Sequence, residues 1–334
     1  MSVTVRARST TNAALREIQR PVRAQLDAVP RELTRIVTAD LPLIEEVNSH
    51  LLRMQGKLFR PTLLLLSSAT DGTPEPRGTT LAAVLELIHL ATLVHDDSVD
   101  HSALRRGMPT INSMFSHQIS VIMGDFLYTR ALGSLVRGKE FEALRVITDA
   151  SDQMTLGEMR QLMAFDALAF SEDDYYALIL AKTASLIGAA CEVGALCGAR
   201  PHQQALATYG QRLGMAFQIA DDLLDYTADQ DETGKPTGLD LREHKVTLPL
   251  IAGMRAMSDA GRREVETLFE TDEPDDEAIA RVVEIVSEHG GLEYARRRGE
   301  QFASEAEEAL AALPESEART GLLDAIAYVM ARRW

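Results

Sequence analysis

Two short clusters of aspartates carry the residue types best suited to metal chemistry. The stretches "HDDSVD" and "ADDLLD" place their acids with one spacing, at Asp96, Asp97 and Asp100 and at Asp221, Asp222 and Asp225. On an α-helix, the first and last acid of each cluster lie within about 40° of each other and one turn apart. Carboxylate oxygens without histidine or cysteine suit Mg²⁺, which completes its coordination with water and phosphate oxygens. All six aspartates are therefore predicted to contribute to a Mg²⁺ site.

A solvated acidic face is the ordinary alternative explanation of such charge runs. Acids one turn apart destabilise an exposed helix by roughly a few tenths of a kcal/mol, and by more when they are partly buried. The flanking segments Leu90–Val94 and Met215–Ala220 are largely apolar and would carry both clusters toward the protein interior. We therefore favour metal binding over a solvated face.

Basic residues near the first cluster could bind the phosphate that such a metal site would share. Arg105 and Arg106 follow Asp100 by just over one turn, and Gly107 and Pro109 are predicted to end the helix there. Guanidinium groups suit bidentate binding of phosphate oxygens. This pair is the first group of candidate phosphate ligands.

Upstream residues extend this group of candidate phosphate ligands. In "GKLFRP", Lys57 and Arg60 are framed by a glycine and a proline, so both can point one way from a turn. His89 precedes Asp96 by about two helical turns and lies within about 20° of the same stripe. A lone helical histidine is more often structural, but this alignment favours a functional role.

A second group of cations lies near the second cluster. Lys182 and Thr183 interrupt an otherwise apolar helix, where an unpaired lysine would be costly, so Lys182 needs an anionic partner. Lys235 and Lys245 surround the glycine-containing stretch after the second cluster, where they could also be merely solvated. Two acid clusters with two groups of cations predict a site for two diphosphates.

Composition narrows the class of protein. The chain has 334 residues, 46% of them hydrophobic, and a net charge of −16, which predicts a folded protein and disfavours nucleic acid or an acidic membrane surface as partner. Cys191 and Cys197 are interpreted as core thiols, because they lack the other ligands of a zinc site. The start has no apolar signal region, and every long apolar run is interrupted by charged or polar residues. We expect a cytoplasmic protein without a membrane-spanning segment.

The chain between the Gly- and Pro-rich breaks has helical periodicity and helix-forming composition. Apolar residues recur at three- and four-residue steps, no alternating strand is indicated, and Ser171 with Asp174 resembles a helix-capping box. We predict one all-α domain over residues 1–334, with residues 1–25 as a flexible N-terminal segment. The acidic stretch Thr271–Glu277 is the one plausible weak boundary, and a solvated loop explains it equally well.

Several motifs in one order resemble the trans-isoprenyl diphosphate synthases, the head-to-tail polyprenyl synthetase family. They are "GKLFRP", "DDSVD" followed by "RRG", "GDFLYTRA", "GEMRQL", "KTASL" and "GMAFQIADDLLDY". Each motif is weak alone, but the ordered set is specific. The resemblance implies a bundle of long helices around a deep central cavity, usually a homodimer. It also implies Mg²⁺-dependent condensation of isopentenyl diphosphate with an allylic diphosphate primer.

The same resemblance assigns roles to the candidate residues. Asp96, Asp100 and Asp221 would coordinate Mg²⁺, supported by Asp97, Asp222 and Asp225. Isopentenyl diphosphate would be bound by Lys57, Arg60, His89 and Arg106. The allylic diphosphate would face Arg105, Lys182, Thr183, Gln218, Lys235 and Lys245. The residues expected to be essential for catalysis are Asp96, Asp100, Arg105, Lys182, Asp221 and Lys235.

Some positions depart from the family pattern. Ser98 stands where an aliphatic residue is common, His101 where an acid is frequent, and "FSHQ" (Phe115 to Gln118) replaces a common Gly-Asn pair. None of these changes removes a metal or phosphate ligand, although His101 could weaken the local negative field.

Small residues before the first cluster predict a long product. Thr92 lies one turn before Asp96, and Ala91 lies about 7.5 Å back along the axis. In the family, a bulky aromatic at these positions stops elongation, so the small residues predict a tail that continues toward Tyr128, Leu132 and Leu135. We predict an all-trans product of roughly six to ten isoprene units. Close helix packing is the alternative reason for small side chains here.

Other functions remain open from the sequence alone. A farnesyl or geranylgeranyl diphosphate synthase would share these motifs and make a shorter product. A terpene synthase would need only one diphosphate, so the four predicted ligands of isopentenyl diphosphate count against it. A non-catalytic subunit of a hetero-oligomeric synthase would be expected to have lost aspartates from its clusters, and this chain keeps both complete.

Overall fold

Helices form nearly all the regular structure in this computed structural model, which describes residues 13–54, 56–71, 75–162, 167–227 and 237–331. The first half of the chain forms α1 (Arg23–Leu26), α2 (Val29–Val37), α3 (Pro42–Arg53), α4 (Phe59–Ser68), α5 (Arg77–Val99), α6 (Ile111–Met114), α7 (His117–Gly138) and α8 (Phe141–Leu162). The second half forms α9 (Glu172–Ile179), α10 (Ser185–Gly198), α11 (Gln203–Thr227), α12 (Leu239–Arg242), α13 (Leu248–Ala256), α14 (Asp259–Glu270), α15 (Asp276–Glu288), α16 (Gly291–Ala309) and α17 (Glu317–Met330). The all-α prediction is confirmed.

One β-hairpin lies between α5 and α6, where the sequence indicated no strand. Strands β1 (Leu104–Arg105) and β2 (Met108–Pro109) pair antiparallel, and α5 has already ended at Val99. The two loop residues, Arg106 and Gly107, have φ of 53° and 76°, and a type I′ turn requires positive φ at both positions. The prediction that the helix continues to this turn is therefore wrong, because a hairpin replaces its last turn.

The core surrounds α5 and α10, each of which is buried on nearly all sides. The runs Leu81–Ile88 in α5 and Ser185–Cys191 in α10 are buried throughout. Helices α4, α7 and α11 pack against this pair. Helices buried in this way have little freedom to move, so they hold the functional side chains on a rigid backbone.

Among the described residues, three helical stretches are long and apolar enough to cross a membrane, judged by length and composition: Arg77–Val99, His117–Gly138 and Glu172–Gly198. In the first and third, 67% of the most apolar window is buried inside the protein, against 39% in the second. Packing within the bundle accounts for the apolar character of the first and third. The expectation of no membrane-spanning segment stays a prediction.

The N-terminal segment is more ordered than expected from residue 13 onward. Residues 13–19 are helical, Ile18 and Val22 are buried, and Gln19 donates a hydrogen bond to Thr62 at 3.1 Å. The expected flexibility of residues 1–25 is therefore corrected for residues 13–25, which pack into the bundle, while residues 1–12 lie outside the described part.

The acidic stretch proposed as a weak boundary lies between two helices of a single hydrophobic cluster. Val265 and Leu268 on α14 and Ile279 and Val282 on α15 belong to that cluster. Since apolar contacts join both sides of the stretch, a solvated loop is the better explanation. The one-domain assignment stays a prediction.

Candidate active site

The first aspartate cluster lies at the C-terminal end of α5, beside the hairpin. Asp97 is buried, and its Oδ1 accepts a hydrogen bond from Nε of Arg105 at 2.8 Å, with Nη2 also 2.8 Å away. Asp96 is half-buried and Asp100 is exposed. Burial and the nearby carboxylate of Glu158 raise the pKa of Asp96 to about 6. The middle acid therefore holds an arginine, and the outer two face the site.

The second cluster lies near the C-terminal end of α11, and its middle acid is also engaged. Asp222 is buried and accepts hydrogen bonds from the Tyr175 hydroxyl at 2.6 Å and the Gln218 side-chain amide at 2.9 Å. Burial, reinforced by the neighbouring Asp240 carboxylate, raises the pKa of Asp222 to about 8. Its partners are neutral donors, in contrast to the arginine that binds Asp97.

The last acid of the second cluster caps the chain that follows it. The Asp225 carboxylate accepts the backbone N–H groups of Leu239 and Asp240 at 3.1 and 2.9 Å, at the start of α12. Asp221, by contrast, is half-buried and faces the first group of cations. Burial lowers the pKa of Arg60, and the Asp221 carboxylate is close enough to act against this.

The two clusters face each other across the site. Burial lowers the pKa of the Lys245 ammonium, but the carboxylates of Glu243, Asp240 and Asp100 outweigh this and raise it overall. Lys245 follows the second cluster in the sequence, whereas Asp100 belongs to the first. The structure therefore brings both ends of the predicted site together.

Three carboxylates, those of Asp96, Asp100 and Asp221, would suit a metal ion. They offer carboxylate oxygens, which hard divalent cations prefer. The pKa of Asp96 is raised first by burial and then by the nearby Glu158 carboxylate, and a bound cation would offset both effects. Within the described ranges, no three acidic, histidine or cysteine side chains lie close enough to hold an ion unaided. The donor set fits a divalent cation that keeps water and phosphate oxygens among its ligands.

The predicted ligands of isopentenyl diphosphate meet beside the first cluster. Nη1 of Arg60 donates a hydrogen bond to Nε2 of His89 at 3.1 Å. Burial, with the charges of Arg60, Arg106 and Arg105, lowers the pKa of His89 well below its ordinary value, so the imidazole is neutral at pH 7. Nε of Arg60 is buried and has no hydrogen-bond partner within the described residues. The guanidinium thus keeps a donor for an anion.

The loop before α4 fixes Arg106 from the other side. Nη1 of Arg106 donates to the carbonyl of Met54 at 2.8 Å, and a Cβ at Gly56 would lie 2.8 Å from the same nitrogen. A side chain at Gly56 would therefore displace the guanidinium. Lys57 is exposed, and its ammonium donates to the Tyr328 hydroxyl at 3.3 Å. All four predicted ligands of isopentenyl diphosphate thus border one region.

Four of the six predicted ligands of the allylic diphosphate line a cavity of about 370 Å³. Its walls include Lys182, Thr183, Gln218 and Lys245, together with Asp222 from the second cluster. The anionic partner expected for Lys182 is Glu158, at 2.7 Å, and Gln161 accepts a second hydrogen bond from it at 2.6 Å. Arg105 is bound to Asp97, as described above, and Lys235 lies outside the described residues.

A local irregularity sets the direction of Lys182 and Thr183. Both belong to the π-helical stretch Leu180–Ala184, and π-helical turns inside longer helices are frequent at functional sites. Close packing surrounds this stretch: a Cβ at Gly214 would lie 2.5 Å from the Ala184 Cα, and one at Gly157 would lie 2.8 Å from the Ala181 Cβ. Glycines on α8 and α11 therefore let the stretch approach both helices.

The four residues predicted to set product length lie away from this cavity. Ala91 is buried, and the Thr92 hydroxyl donates to the His89 carbonyl at 2.8 Å. Tyr128 and Leu132 on α7 are partly buried against the main core. None of the four is among the residues that line the cavity. The route of the growing tail stays a prediction.

The departures from the family pattern cluster in space. The Ser98 hydroxyl and Nδ1 of His117, within "FSHQ", are 2.8 Å apart, and the His101 and His117 rings lie 6.1 Å apart. Neither contact involves a carboxylate of the first cluster. The three departures from the family pattern therefore lie next to one another in the structure.

Several site residues were missed from the sequence. Glu86 on α5 is buried near Arg60 and Arg106. Burial raises the pKa of Glu86, although the charges of the two arginines act to lower it. In the sequence, Glu86 interrupts an apolar run one turn before His89. Its position on the same helix face as His89 could have indicated a role in the site. Tyr175 gave no comparable signal, because its contact with Asp222 depends on how α9 packs on α11. Glu158 and Gln161 lay inside a quoted motif without an assigned role.

Comparisons with known proteins agree with this geometry. Residues 41–286 match the family model described as polyprenyl synthetase. The chain is 35% identical to an octaprenyl diphosphate synthase of Haemophilus influenzae over 331 residues, which cover 95% of this chain and 96% of that protein. It is 36% identical to an all-trans-nonaprenyl-diphosphate synthase (geranyl-diphosphate specific) of Rhodobacter capsulatus, covering 92% of this chain and 95% of the relative.

Solved structures show the same likeness. A decaprenyl diphosphate synthase from Rhodobacter capsulatus superposes with a TM-score of 0.89 at 36% identity, covering 95% of this chain and 99% of that one. A polyprenyl synthase from Caulobacter crescentus, complexed with calcium and isoprenyl diphosphate, also gives 0.89, at 34% identity over 96% of this chain and 98% of that one. The chain belongs to the polyprenyl synthetase family. It is a polyprenyl diphosphate synthase, a trans-prenyltransferase of the all-α isoprenoid synthase fold.

Proposed function

We propose that this enzyme condenses isopentenyl diphosphate head-to-tail with an allylic diphosphate in a Mg²⁺-dependent reaction and releases a long all-trans polyprenyl diphosphate. The observation that carries the proposal is the arrangement of charge. Arg60 is hydrogen-bonded to His89, with Arg106 close by, whereas Lys182 and Lys245 line the cavity. The acids lie near both groups: Asp221 is close to Arg60, Asp96 to Lys182 and Asp100 to Lys245. A site with two separate groups of cations suits two diphosphates, whereas a terpene synthase needs one.

The reaction begins at the allylic diphosphate. Lys182, Thr183 and Lys245 bind its oxygens and stabilise the charge that develops as the C–O bond breaks and the bonding electrons leave with the diphosphate. Bound divalent cations supply Lewis-acid stabilisation of the same leaving group. The cavity is lined by polar and apolar side chains, and the apolar ones, such as Phe170, Ile179 and Val246, limit contact of water with the allylic carbon, which would otherwise be captured as an alcohol.

The second substrate supplies the nucleophile. Arg60, His89 and Arg106 hold the diphosphate of isopentenyl diphosphate so that its double bond faces the allylic carbon. The π electrons form the new C–C bond, and loss of a proton from the adjacent carbon, to the departing diphosphate, restores a double bond. Neutral His89 contributes a hydrogen bond rather than charge, because burial and the arginines lower its pKa. No side-chain nucleophile is needed.

For product length we propose roughly C30 to C50. Long-chain relatives support this range, including the octaprenyl and nonaprenyl synthases described above. A short chain isoprenyl diphosphate synthase of Methanothermobacter thermautotrophicus is also 33% identical, so sequence similarity alone leaves the length open. Small side chains at Ala91 and Thr92 are the internal argument for a long product.

One assay tests both activity and length. The purified protein is incubated with Mg²⁺, labelled isopentenyl diphosphate and allylic primers of several lengths, and the dephosphorylated products are separated by chromatography. We expect linear all-trans products of long chain length. A cyclic hydrocarbon from one substrate, or activity only after another protein is added, would contradict the proposal.

Replacing Ala91 or Thr92 with phenylalanine should shorten the product if the tail passes along α5. An aromatic ring there would fill the channel that the small side chains leave open. The same chromatography measures the shift, with the exposed Leu43→Phe on α3 as control. An unchanged length distribution in both active variants would show that the tail takes another route.

We also propose that the enzyme is a homodimer. Large apolar side chains are exposed along two neighbouring helices, α7 and α8: Val121, Ile122, Val136, Phe141, Leu156, Met159 and Leu162. Burying such a surface against a second copy would remove it from water. Light scattering should give twice the chain mass, and Ile122→Glu should shift it to the monomer, whereas Leu43→Glu on α3 should not. A monomeric wild type would overturn this proposal.

For localisation we propose the cytoplasm. Cys191 and Cys197 are both buried free thiols, as expected in a reducing compartment. Cell fractionation followed by immunoblotting would test this. Recovery of the protein outside the cytoplasmic fraction would contradict it.

A further inference from the structure

A buried acid lies within the group of residues that would bind isopentenyl diphosphate. Glu86 on α5 is 4% exposed and lies one turn before His89 on the same helix face. His89 accepts a hydrogen bond from Nη1 of Arg60 at 3.1 Å. The carboxyl group of Glu86 is also close enough to Arg60 and Arg106 to interact with both charges. A carboxylate is therefore placed among cations that are expected to bind an anion.

This acid offsets the charge of Arg60. Burial lowers the pKa of Arg60, and among the nearby charges Glu86 has the largest effect, opposing burial more strongly than Asp221 does. A guanidinium group keeps its proton inside a protein, so it favours the charged form of a buried acid beside it. In the absence of substrate, the two opposite charges compensate each other.

The same carboxylate opposes the binding of a diphosphate. Nε of Arg60 is buried and has no hydrogen-bond partner within the described part of the chain, so it is available to an anion. A diphosphate bound there would have to share the guanidinium with Glu86. The two negative groups would also repel each other, and such repulsion is stronger in a buried site than in water. The charge of Glu86 therefore weakens diphosphate binding at this site.

The chemistry of elongation gives a reason for weakened binding. The new C–C bond joins the allylic carbon to isopentenyl diphosphate, while the diphosphate of the allylic substrate is released. The diphosphate of the longer product is therefore the one held by Arg60 and Arg106. It must leave these arginines and reach Lys182 and Lys245 before the product can serve as the next allylic substrate. Tight binding at the arginines would slow every further condensation.

We propose that Glu86 is the counter-charge of the isopentenyl diphosphate site: it limits how tightly Arg60 and Arg106 hold a diphosphate, and so allows the longer product to move on to the next condensation. The proposal rests on the proposed function of the site. Glu86 takes no part in bond formation and acts through the two arginines.

A second acid in the core provides a matched control. Glu192 on α10 also interrupts a long apolar run of the sequence. Its carboxylate accepts a hydrogen bond from Nε2 of Gln203 at 2.9 Å and lies 3.5 Å from Nη2 of Arg145. Neither partner is a predicted ligand of a diphosphate. Glu86→Gln and Glu192→Gln each remove one negative charge near an arginine and keep the shape of the side chain.

The first experiment measures the affinity for isopentenyl diphosphate in the full-length protein. Calorimetry without a primer gives its Kd, and steady-state kinetics give its KM. Glu86→Gln should lower both constants by about fivefold, because the repulsion is removed. Glu192→Gln should leave both within about twofold. An unchanged or weaker affinity in Glu86→Gln would overturn the proposal, since the acid would then have no effect on binding or would orient the arginines.

The second experiment separates the first condensation from those that follow. The enzyme is mixed rapidly with an allylic primer and labelled isopentenyl diphosphate, and the products are separated by length at successive times. In Glu86→Gln the rate of the first condensation should stay within about twofold, whereas later condensations should slow by at least about fivefold. Equal changes in both rates would contradict a role in moving the product. A wild type that performs no condensation would refute the proposed function instead.

The stability of the empty protein extends the test to a variant that folds poorly. Without Glu86, the charge of Arg60 loses its main compensation, so Glu86→Gln should melt at a lower temperature than the wild type. Saturating isopentenyl diphosphate should raise the melting temperature of the variant by more than that of the wild type. If the empty variant is too unstable to isolate, purification with inorganic diphosphate should give folded protein. A variant that stays unfolded under those conditions would show that Glu86 is purely structural and would refute its role as counter-charge.

Discussion

The two aspartate clusters have the same spacing, yet their middle acids have different partners. Asp97, in the first cluster, is held by the charged guanidinium of Arg105 from the hairpin. Asp222, in the second, is held by the neutral donors of Tyr175 and Gln218. In both clusters the middle acid is buried and bonded within the protein, while Asp96 and Asp221 remain half-buried at the site.

This comparison shows that aspartates of one sequence pattern have two roles, facing the substrates or forming hydrogen bonds within the protein. On a helix, the side chain of the middle acid points about 100° away from that of the first acid. When the first acid faces the substrates, the middle acid therefore points toward the protein core. The core must then supply a hydrogen-bond partner, and which partner depends on the neighbouring element. The first cluster lies beside a surface hairpin and uses an ion pair, whereas the second lies against the buried side of α9 and uses a tyrosine.

The largest effect should come from removing a carboxylate that faces the site. Asp96→Ala or Asp221→Ala should lower kcat by at least about a thousandfold, because each removes a charge that holds the cation, and leave the fold intact. Asp324→Ala, an exposed change on α17, is the control. Steady-state kinetics and circular dichroism check this, and near-normal turnover in either variant would refute the division of tasks.

The next effect separates the two groups of cations. Arg106→Ala should raise KM for isopentenyl diphosphate by about tenfold to a hundredfold and change KM for the allylic primer much less, since one diphosphate loses a bidentate donor. Arg200→Ala removes an exposed arginine, paired with Glu142 at 2.7 Å, and should change neither. Equal increases for both substrates would contradict two distinct diphosphate sites.

A smaller effect tests the charged partner of the first cluster. Asp97→Asn keeps the shape of the side chain but removes the charge that binds Arg105, so kcat/KM should fall about tenfold. Asp27→Asn breaks an exposed pair with Arg23, at 2.9 Å, and should leave kcat/KM unchanged. If both variants behave alike, the ion pair of Asp97 has no role in the site.

The smallest effect on activity is expected from a change at Glu172, an acid that stabilises the fold and lies outside the site. Burial raises the pKa of Glu172, but hydrogen bonds from Tyr176, Tyr294 and Arg255 outweigh this and lower it below 4.5. Because the folded-state pKa is depressed, the stabilisation is present above that ordinary value and is lost as pH falls through the lowered pKa. Glu172→Gln should therefore cost about 1–3 kcal/mol at pH 7 and progressively less below pH 4, with activity retained.

Denaturant unfolding at several pH values measures this cost. Glu264→Gln, which breaks an exposed pair with Arg281, should leave the free energy of unfolding nearly unchanged. A pH-independent penalty for Glu172→Gln would show that the carboxylate charge is not what stabilises this contact between α9, α13 and α16.

The sequence predicted what depends on local spacing. Helix geometry over a few turns was enough to identify the two clusters and the alignment of His89 with Asp96. It also indicated that Lys182 needs an anionic partner. The structure brings these residues together. The resemblance added Thr183 and Gln218, which line the cavity. These parts required no knowledge of how distant helices pack.

The remaining features depend on tertiary contacts and were not predictable in this way. The hairpin that carries Arg106 needs a non-glycine residue at positive φ, which the surrounding structure must impose. Tyr175 and Glu86 reach their partners only after separate helices have packed. The π-helical stretch around Lys182 likewise depends on close approach to Gly157 and Gly214.

The central claim is that Asp96, Asp100 and Asp221 bind the metal while the middle acids, Asp97 and Asp222, bind the protein. A crystal structure with Mn²⁺ and inorganic diphosphate, phased on the anomalous signal of the ion, tests it most directly. We predict anomalous peaks against the carboxylates of Asp96, Asp100 and Asp221, with Asp97 still on Arg105 and Asp222 still on Tyr175. A peak coordinated by Asp97 or Asp222, with those hydrogen bonds broken, would contradict the account.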